Sequence, residues 1–398
     1  MKDKYIYLFF LAISTLNFIS CDNPEEKRQL TIEIENDLDF SRKEVVSIPY
    51  EKFENLLEEK TFNSLRIKRD SAESYLRTQS IDYDEDGIPE ELLFQAEVAA
   101  NSKSRYIIVL DSTIKEPESD VIAFSRFVPE RTDDYTWEND KVAFRTYGPT
   151  GQEEALAGVP GSTLSSGIDL WLKRTDKTII DKWYAEHGKN PGYYHIDHGE
   201  GYDPYHVGGS RGTGGSGIWE NDSLYVSQNF TDYKTIADGP LRTVFELEYA
   251  PWGPYNIKET KKITLDLGSN FSKFEVSLES DEEIQGYSVG ITLHDNKGEY
   301  AINEEEGWIR HWEEIDSSFV GEGLVLNPTI IDSAFARKAE IPDQSNLLVI
   351  TNPENKITYY AGFAWDKSGQ VSNLNDWDAM LKKQALIMKN PLRVEVEN

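Results

Sequence analysis

The chain has one cysteine, Cys21, among 398 residues. A disulfide needs two cysteines, so the fold must be held by packing and hydrogen bonds. Basic residues are also scarce, with 41 Lys and Arg against 71 Asp and Glu and a formal net charge of −30. Nucleic-acid binding needs a basic surface, so this balance argues against a nucleic-acid partner.

Long apolar runs are missing after the N-terminus. Residues 5–16 are largely apolar, but the run is too short to span a membrane comfortably. It ends close to Cys21, in a segment that resembles a bacterial lipobox with Phe18 in place of the usual Leu. Residues 1–21 are therefore predicted to be a lipoprotein signal peptide, with Cys21 as the lipid anchor and 22–29 as a linker. The alternative is a free thiol at Cys21.

A lipid anchor would be the protein's only contact with a membrane. The expected location is then the cell envelope, as an outer-membrane lipoprotein that faces the periplasm or the surface. The remaining residues, 30–398, are long enough for one large domain, in which 30–125 can form an N-terminal β subdomain.

Alternation of apolar and polar residues dominates this body. Strands are predicted at 30–35, 104–111, 241–249, 256–267, 271–280, 287–294 and 359–365. Helices are few, with candidates at 177–186 and 372–388. Such strands joined by short turns indicate a mainly β protein built from large antiparallel sheets.

Histidine is scarce as well, yet three of the six fall in the glycine-rich stretch 193–219. They are His195, His198 and His206, and Asp197 lies among them. Glycine lets backbone approach a ligand closely, and histidine transfers protons near neutral pH. The stretch is therefore a candidate site. The alternative is a glycine-rich surface loop with incidental histidines.

Two metal sites are possible interpretations of this sequence. The spacing of His195, His198 and His206 can hold zinc with one open position, although it matches no familiar zinc signature. Residues 82–87 (DYDEDG) can place oxygens around calcium, but Leu93 stands where an EF-hand needs Glu. A solvated acidic turn is the alternative there. No cofactor is required by the sequence.

Several segments together resemble a known family. They are 82–95 (DYDEDGIPEELLFQ), 136–149 (TWENDKVAFRTYGP), 166–174 (SGIDLWLKR), 193–219, 239–249 (GPLRTVFELEY) and 359–369 (YYAGFAWDKSG). The family consists of exported bacterial proteins from polysaccharide-utilisation gene clusters, long labelled a domain of unknown function. Some members are oligosaccharide dehydratases of ulvan degradation. The resemblance implies a galactose-mutarotase-like β-supersandwich with a few short helices.

The resemblance also implies a reaction. Water would leave the glucuronic or iduronic acid at the non-reducing end of an anionic, sulfated oligosaccharide, which gives a 4,5-unsaturated uronate. A cation, a strong donor or a metal must neutralise the C6 carboxylate, a base must take the C5 proton, and an acid must protonate the departing 4-hydroxyl.

The 193–219 stretch offers candidates for these tasks. Arg211 is expected to bind the carboxylate or sulfate, since guanidinium matches such oxyanions with two hydrogen bonds. His198 and His206 are predicted as base and acid, with Tyr205 in reserve. His195 and Asp197 can orient one of them.

Other residues are predicted to bind substrate. The basic candidates for an anionic pocket are Arg145 and Lys173, although lone basic residues more often form surface ion pairs. Trp137, Tyr147 and Trp219 are candidates for walls that stack on sugar, with plain packing as the alternative. His294 ends a strand and is a further site candidate, while His311 is a weaker one.

Two other functions remain open. A polysaccharide lyase would use the same carboxylate neutralisation and base but expel a sugar instead of water. A non-catalytic glycan-binding lipoprotein would show no turnover at any pH, whereas an enzyme should give a pH–rate profile in the histidine range.

Overall fold

The computed structural model describes residues 29–57 and 62–397. The predicted signal peptide and the lipid-anchor residue Cys21 lie outside the described residues, as does the linker up to residue 28. None of the helices in the described part of the chain is long and apolar enough to cross a membrane.

The strands of the first half are β1 Gln29–Asn36, β2 Arg42–Pro49, β3 Leu65–Arg69, β4 Tyr75–Leu76, β5 Thr78–Ile81, β6 Glu91–Val98, β7 Ser102–Leu110, β8 Phe124–Val128, β9 Asp134–Glu138, β10 Ala143–Thr146, β11 Asp169–Lys173 and β12 Gly201–Tyr202. Those of the second half are β13 Thr213–Glu220, β14 Ser223–Tyr225, β15 Phe230–Asp238, β16 Arg242–Trp252, β17 Ile257–Asp266, β18 Phe271–Glu279, β19 Tyr287–Thr292, β20 Glu299–Asn303, β21 Trp308–Ile315, β22 Ser318–Leu326, β23 Ile331–Arg337, β24 Asn346–Thr351, β25 Lys356–Trp365 and β26 Arg393–Glu397. The α-helices are α1 Glu54–Leu57, α2 Pro149–Leu156, α3 Ile180–Lys189 and α4 Leu374–Lys389.

Two layers of antiparallel sheet form the main body, which confirms the predicted mainly β supersandwich. One layer is an eight-stranded sheet in the order β15-β16-β17-β18-β25-β22-β21-β20. The facing layer consists of two five-stranded sheets, β14-β13-β19-β24-β23 and β12-β11-β10-β9-β8. A parallel bridge between Ile168 and Gly212 joins these two sheets.

The core lies between the layers because side chains alternate along each strand. On β17, Ile263 and Leu265 are fully buried against the facing layer, where Val289 of β19 belongs to the same hydrophobic cluster. Each such side chain stabilises the fold by roughly 1.5–3 kcal/mol.

Helix α4 covers part of the outer face of the eight-stranded sheet. Asn373 caps its start by accepting hydrogen bonds from the backbone of Asn375 and Asp376. Trp377 is fully buried and stacks on Phe271 at 5.5 Å between ring centroids. The predicted helix at 372–388 is therefore confirmed.

The N-terminal strands form two smaller sheets, β26-β1-β7-β3-β4 and β2-β6-β5. Their buried side chains make a hydrophobic cluster separate from that of the main body. The C-terminal strand β26 completes the first of these sheets by pairing with β1. The predicted division of the chain into domains is not tested by these contacts and stays a prediction.

Candidate active site

The glycine-rich stretch 193–219 runs along the edge of β11 before it enters the sandwich as β13. Glycine is needed at two close approaches. A Cβ on Gly201 would lie 1.9 Å from the Leu172 carbonyl oxygen, and one on Gly212 would lie 1.9 Å from that of Ile168. Both glycines also have positive φ, at 121° and 54°. The loop can therefore press against the sheet and bring its side chains to buried groups.

One such group is a set of two histidines and two glutamates, His294, His311, Glu313 and Glu322, which we call the imidazole–carboxylate cluster. Their nitrogen and oxygen atoms lie within 4.8 Å of one another. In the first pair, His294 Nδ1 lies 2.8 Å from Glu313 Oε1. In the second, His311 Nδ1 lies 3.1 Å from Glu322 Oε2.

Strand register brings these residues together. His311 and Glu313 are two apart on β21 and so share its inner face with the core residue Ile309. His311 pairs directly across with Glu322 of β22. His294 lies just beyond β19 with a left-handed φ of 45°, which turns the chain back toward β21.

The loop adds two hydroxyl groups. The Tyr205 hydroxyl donates a hydrogen bond to Glu313 Oε1 at 2.7 Å, and its ring stacks on His294 at 4.7 Å between centroids. The Thr213 hydroxyl donates to Glu322 Oε1. Glu313 Oε1 therefore accepts a hydrogen bond from the Tyr205 phenol and lies within ion-pair distance of His294 Nδ1, which has no hydrogen-bond partner of regular geometry among the described residues.

The environment shifts the acidities of these groups in consistent directions. Burial lowers the pKa of His294 and of His311, but the adjacent glutamates outweigh it and the net shift is upward. Burial raises the pKa of Glu313, but His294 outweighs it and the net shift is downward. Burial and the Glu313 charge raise the pKa of Tyr205, so the phenol keeps its proton.

His294 is more exposed to solvent than the other members of the imidazole–carboxylate cluster. Its side chain is 27 % exposed, against 1 % for His311. A narrow cavity of about 10 Å³ is lined by Ile168, Asp169, Leu170, Tyr205, His206, Val207, Ser210, Gly212, Thr213, His294 and Glu322. This volume is about one water, so the loop must move before a sugar can reach His294.

The three loop histidines predicted as zinc ligands do not converge. His195 is exposed and its Nδ1 lies 2.9 Å from the Asp203 carbonyl oxygen. His198 is exposed and stacks on Tyr193 at 4.0 Å. Only His206 lines the cavity, so the described residues give no zinc site from this triplet.

The role of His198 as base stays a prediction; among the described residues His198 has no contact with the imidazole–carboxylate cluster. Asp197 orients none of the loop histidines; it forms an ion pair with Arg174 at 2.8 Å and accepts the backbone N–H of Gly199. His294, the predicted site residue at a strand end, lies beside the cavity, and its role in a site stays a prediction.

Arg211 is not available to an anionic substrate. It is 1 % exposed within the sandwich, where its guanidinium donates to Ser166 Oγ at 3.1 Å and to the Ser216 carbonyl oxygen at 2.9 Å. Burial lowers its pKa to about 10. The prediction failed because a charged residue type does not reveal on which side of a sheet it lies.

Arg145 lies in a second buried group, which we call the Arg145 cluster and which contains Asp134, Asp169 and Asp203. Its Nη2 donates to Asp169 Oδ2 at 2.5 Å and to Asp203 Oδ2 at 3.0 Å. The guanidinium also lies over the ring of Tyr147 at 5.3 Å. Arg145 and Tyr147 are 5 % exposed, so both are parts of the core and neither lines an open pocket.

The remaining predicted contacts are mostly core residues too. Lys173 is buried, and its Nζ donates to Glu138 Oε2 at 2.6 Å. Trp137 is 0 % exposed with its Nε1 bound to Ser272 Oγ, so it cannot stack on a sugar. Trp219 is partly exposed, but it packs edge-on against Phe335 and does not line the cavity.

A second set of ligand atoms that converge is Asp82, Asp84, Asp86 and Glu90. Backbone N–H groups already bind it, including those of Glu85 and Gly87 at Asp82. Hydrogen bonds therefore satisfy part of the acidic turn, and calcium binding there stays a prediction. The described residues thus contain two groups able to hold a metal.

Fold and site together define a β-sandwich protein with acid–base groups buried beneath a glycine-rich loop. The chain belongs to the family described as Domain of unknown function (DUF4861), whose model matches residues 34–394. It is 44 % identical over 397 residues to Uncharacterized protein P7 of Formosa agariphila, covering 98 % of this chain and 99 % of that protein.

Two solved structures are similar in fold. One is a glycosyl hydrolase family 38 protein from Enterococcus faecalis, with a TM-score of 0.49, 8 % identity and coverage of 93 % of this chain and 47 % of that one. The other is an alpha-mannosidase from Enterococcus faecalis, with a TM-score of 0.48, 9 % identity and coverage of 93 % and 46 %. The chain spans about half the length of each.

Proposed function

We propose that the protein is a dehydratase that removes water from the glucuronic or iduronic acid at the non-reducing end of sulfated, ulvan-type oligosaccharides. One observation carries the proposal. The Tyr205 phenol and the His294 imidazole share Glu313 Oε1 beside one cavity, so a proton donor and a proton acceptor stand next to each other. Elimination of water needs both.

His294 is the base in this proposal. It lines the cavity, and its side chain is the partly exposed one of the two imidazoles. Glu313 lies against Nδ1, which orients the ring and leaves Nε2 without a partner among the described residues. Nε2 takes the C5 proton, and the electron pair of that C–H bond forms the C4–C5 double bond.

Tyr205 is the acid. Its raised pKa keeps the phenol protonated, and its ring is stacked on His294, so both groups face the same part of the substrate. As the C4–O bond breaks, the phenol proton passes to the departing hydroxyl, which leaves as water. The proton that His294 took then returns to the Tyr205 phenolate by way of Glu313 Oε1, which lies beside both groups, so both residues regain their starting forms.

The C6 carboxylate needs a positive charge, and His311 is the one candidate cation among the four members of the cluster, behind Glu322 and with two carboxylates around it. His311 Nε2 lies 3.1 Å from the Lys297 carbonyl oxygen, which can only accept, so Nε2 carries a hydrogen. Nδ1 lies 3.1 Å from a Glu322 carboxylate oxygen. If Nδ1 carried no hydrogen, its lone pair would face the lone pairs of that oxygen, which is unfavourable. A second proton on the ring resolves this contact and makes His311 an imidazolium.

A divalent cation is the competing source of charge. Two imidazoles and two carboxylates form a donor set that suits zinc, whereas calcium prefers oxygen alone. Such a cation, when bound, would neutralise the uronate carboxylate. Metal analysis of the purified protein decides this. One zinc per chain that is lost in His311→Ala supports the cation, and fully active zinc-free protein supports the imidazolium.

The test of the function uses saturated sulfated oligosaccharides that end in a uronic acid. Absorbance of an unsaturated uronate, with loss of one water by mass spectrometry and no shorter product, is expected. Absorbance with shorter products would make the protein a polysaccharide lyase. Absence of turnover on glucuronic and iduronic substrates, with binding by calorimetry, would make it a glycan-binding protein.

Attachment to the outer membrane through Cys21 is part of the proposal. The signal-like segment that precedes this lone cysteine supports it. Palmitate labelling in the native host should mark the wild-type protein and not Cys21→Ser. Labelling of both would contradict an anchor at Cys21.

A further inference from the structure

A cleft of about 830 Å³ lies outside the candidate active site. Its walls are the outer face of the eight-stranded sheet, strand β2 of the N-terminal sheets, and helix α4. The volume falls within the range of about 300–1,000 Å³ typical of sites that bind small ligands. None of the residues proposed for catalysis lines it.

The cleft and the active site lie on opposite faces of one sheet. On β17, Ile263 and Leu265 point into the core, and the alternate residues Lys262 and Thr264 line the cleft. On β21, the inner-face positions are those of His311 and Glu313. Ligands at the two places would therefore be separated by the thickness of the sheet.

The charge of the cleft differs from that of the whole protein. Its basic lining residues are Arg42, Lys43, Arg242, Lys262, Lys273 and Lys383, and its acidic ones are Glu44, Glu91, Asp266 and Glu275. Cations thus exceed carboxylates by two, in a chain whose net charge is −30. A local excess of positive charge on so acidic a protein favours an anionic ligand.

Two lysines account for this excess. Arg42 pairs with Glu44 at 2.6 Å and Arg242 with Asp266 at 2.5 Å, so those charges are matched. Lys43 pairs with Glu97 at 3.0 Å and Lys273 with Glu275 at 2.9 Å. Lys262 and Lys383 are the cleft cations that form no ion pair with a described carboxylate.

Each of these lysines lies near an aromatic ring. Lys262 Nζ is 4.4 Å from the ring centroid of Tyr83, and Lys383 Nζ is 5.5 Å from that of Phe40. Tyr360 also lines the cleft and is partly exposed. Aromatic rings beside ammonium groups suit a sugar that carries negative charge. The aromatic ring packs on the C–H face of the sugar, and the ammonium group binds its sulfate or carboxylate.

We infer that this cleft is a second binding site for an anionic oligosaccharide, separate from the catalytic cavity. Lys262 and Lys383 bind its sulfate or carboxylate groups, and Tyr83 and Phe40 contact its sugar rings. The inference goes beyond the dehydratase proposal and does not depend on it, since a glycan-binding protein would have the same site.

The test measures binding of dextran sulfate oligosaccharides by calorimetry in low salt. This probe has no uronic acid and so cannot undergo the proposed reaction. The double variant Lys262→Gln/Lys383→Gln should bind about fivefold or more weakly, because two ion contacts are lost. Lys258→Gln is the matched control. It removes an exposed lysine from the same strand outside the cleft and should bind like wild type.

The inference would be overturned by no binding to the wild-type protein, by equal binding by the double variant, or by an equal loss in Lys258→Gln. Unsulfated dextran of the same length should bind much more weakly, and equal affinity would contradict an anionic ligand. Turnover of a short uronic-acid substrate by the double variant should match wild type, which keeps this test independent of the catalytic proposal.

Discussion

The Arg145 cluster and the imidazole–carboxylate cluster are both buried sets of charges, and the same loop contributes to both. Asp203 of the loop binds Arg145, and Tyr205, two residues later, binds Glu313. The backbone N–H of Tyr205 even donates to Asp203 Oδ1 at 3.2 Å. Despite this proximity, the two clusters are suited to different tasks.

The Arg145 cluster has a permanent cation that is enclosed by partners. Carboxylates bind the edge of the Arg145 guanidinium. The rings of Tyr147, Trp171 and Tyr194 lie within 5.5 Å of its carbon. The other cluster has titratable imidazoles, one of which lines a cavity. Buried charge with a shifted pKa is therefore not enough to mark a reaction site, since the Arg145 cluster has it too; the other cluster differs in having a partly exposed imidazole beside the cavity.

The largest effect is expected at His294. Replacement by alanine removes the proposed base and should lower turnover of the uronic-acid substrate by roughly 10²- to 10⁴-fold. The free energy of unfolding should fall by less than about 2 kcal/mol, because the side chain is partly exposed but loses its contacts with Glu313 and Tyr205. Steady-state rates and urea denaturation measure the two quantities, and an active, well-folded His294→Ala would remove the residue from the mechanism.

Arg145→Met should mainly lower the free energy of unfolding, whereas His294→Ala mainly lowers turnover. It leaves Asp169 and Asp203 buried without their cation, which should cost about 3–5 kcal/mol of the free energy of unfolding. Arg174→Met is the matched control, because it breaks the more exposed ion pair with Asp197 and should cost less than about 1 kcal/mol. Urea denaturation of both variants compares them. Equal losses would mean that the Arg145 cluster is not special.

A smaller, pH-dependent effect is expected at Asp134. Burial raises its pKa to about 6 from an ordinary 3.8, despite Arg145. The stability contributed by the protonated form is present below pH 4 and is lost as the pH rises through 6. The unfolding free energy of wild type should therefore fall by roughly 2–3 kcal/mol across this range through Asp134. In Asp134→Asn this part of the slope should vanish.

Asp197 gives the opposite sign and serves as the control. Burial raises its pKa, but backbone N–H groups and Arg174 outweigh it and the net shift is downward. Its stabilisation is present above pH 4 and is lost as the pH falls. Asp197→Asn should lose part of the rise in the unfolding free energy between pH 3 and 4, whereas Asp134→Asn should lose part of its fall between pH 4 and 6. Urea denaturation between pH 3 and 8 compares the two variants, and identical pH dependence would contradict the assignment.

The smallest effect is expected for His198→Ala. This histidine is exposed and its Nε2 contacts only the Tyr193 carbonyl oxygen among hydrogen-bond partners. Turnover should stay within about twofold of wild type and stability within about 0.5 kcal/mol. A loss comparable to that of His294→Ala would shift the active site to the outer part of the loop.

Local patterns predicted the strands and the last helix well. The predicted strands 256–267 and 271–280 correspond to Ile257–Asp266 and Phe271–Glu279. Alternation is a property of neighbouring residues, so the sequence displays it directly. The same alternation in 308–315 (WIRHWEEI) could have placed His311 and Glu313 on one face.

The site itself could not be assembled from such patterns. His195, His198 and His206 are close in sequence, yet the loop spreads them over the surface and the cavity edge. His294 and Glu322 are 28 positions apart, and only the pairing of β21 with β22 and the turn after β19 unite them. Strand register depends on the whole sheet, which no short segment reveals.

The pairing of β26 with β1 has a consequence for how the chain acquires its fold. Arg393 lies opposite Glu35, and Glu397 lies opposite Thr31, so the first sheet joins the two ends of the described chain. During synthesis β1, β7, β3 and β4 can pair early, but the outer edge of β1 stays unpaired until β26 emerges. An open edge can recruit other strands, so the nascent protein should depend on chaperones during that interval.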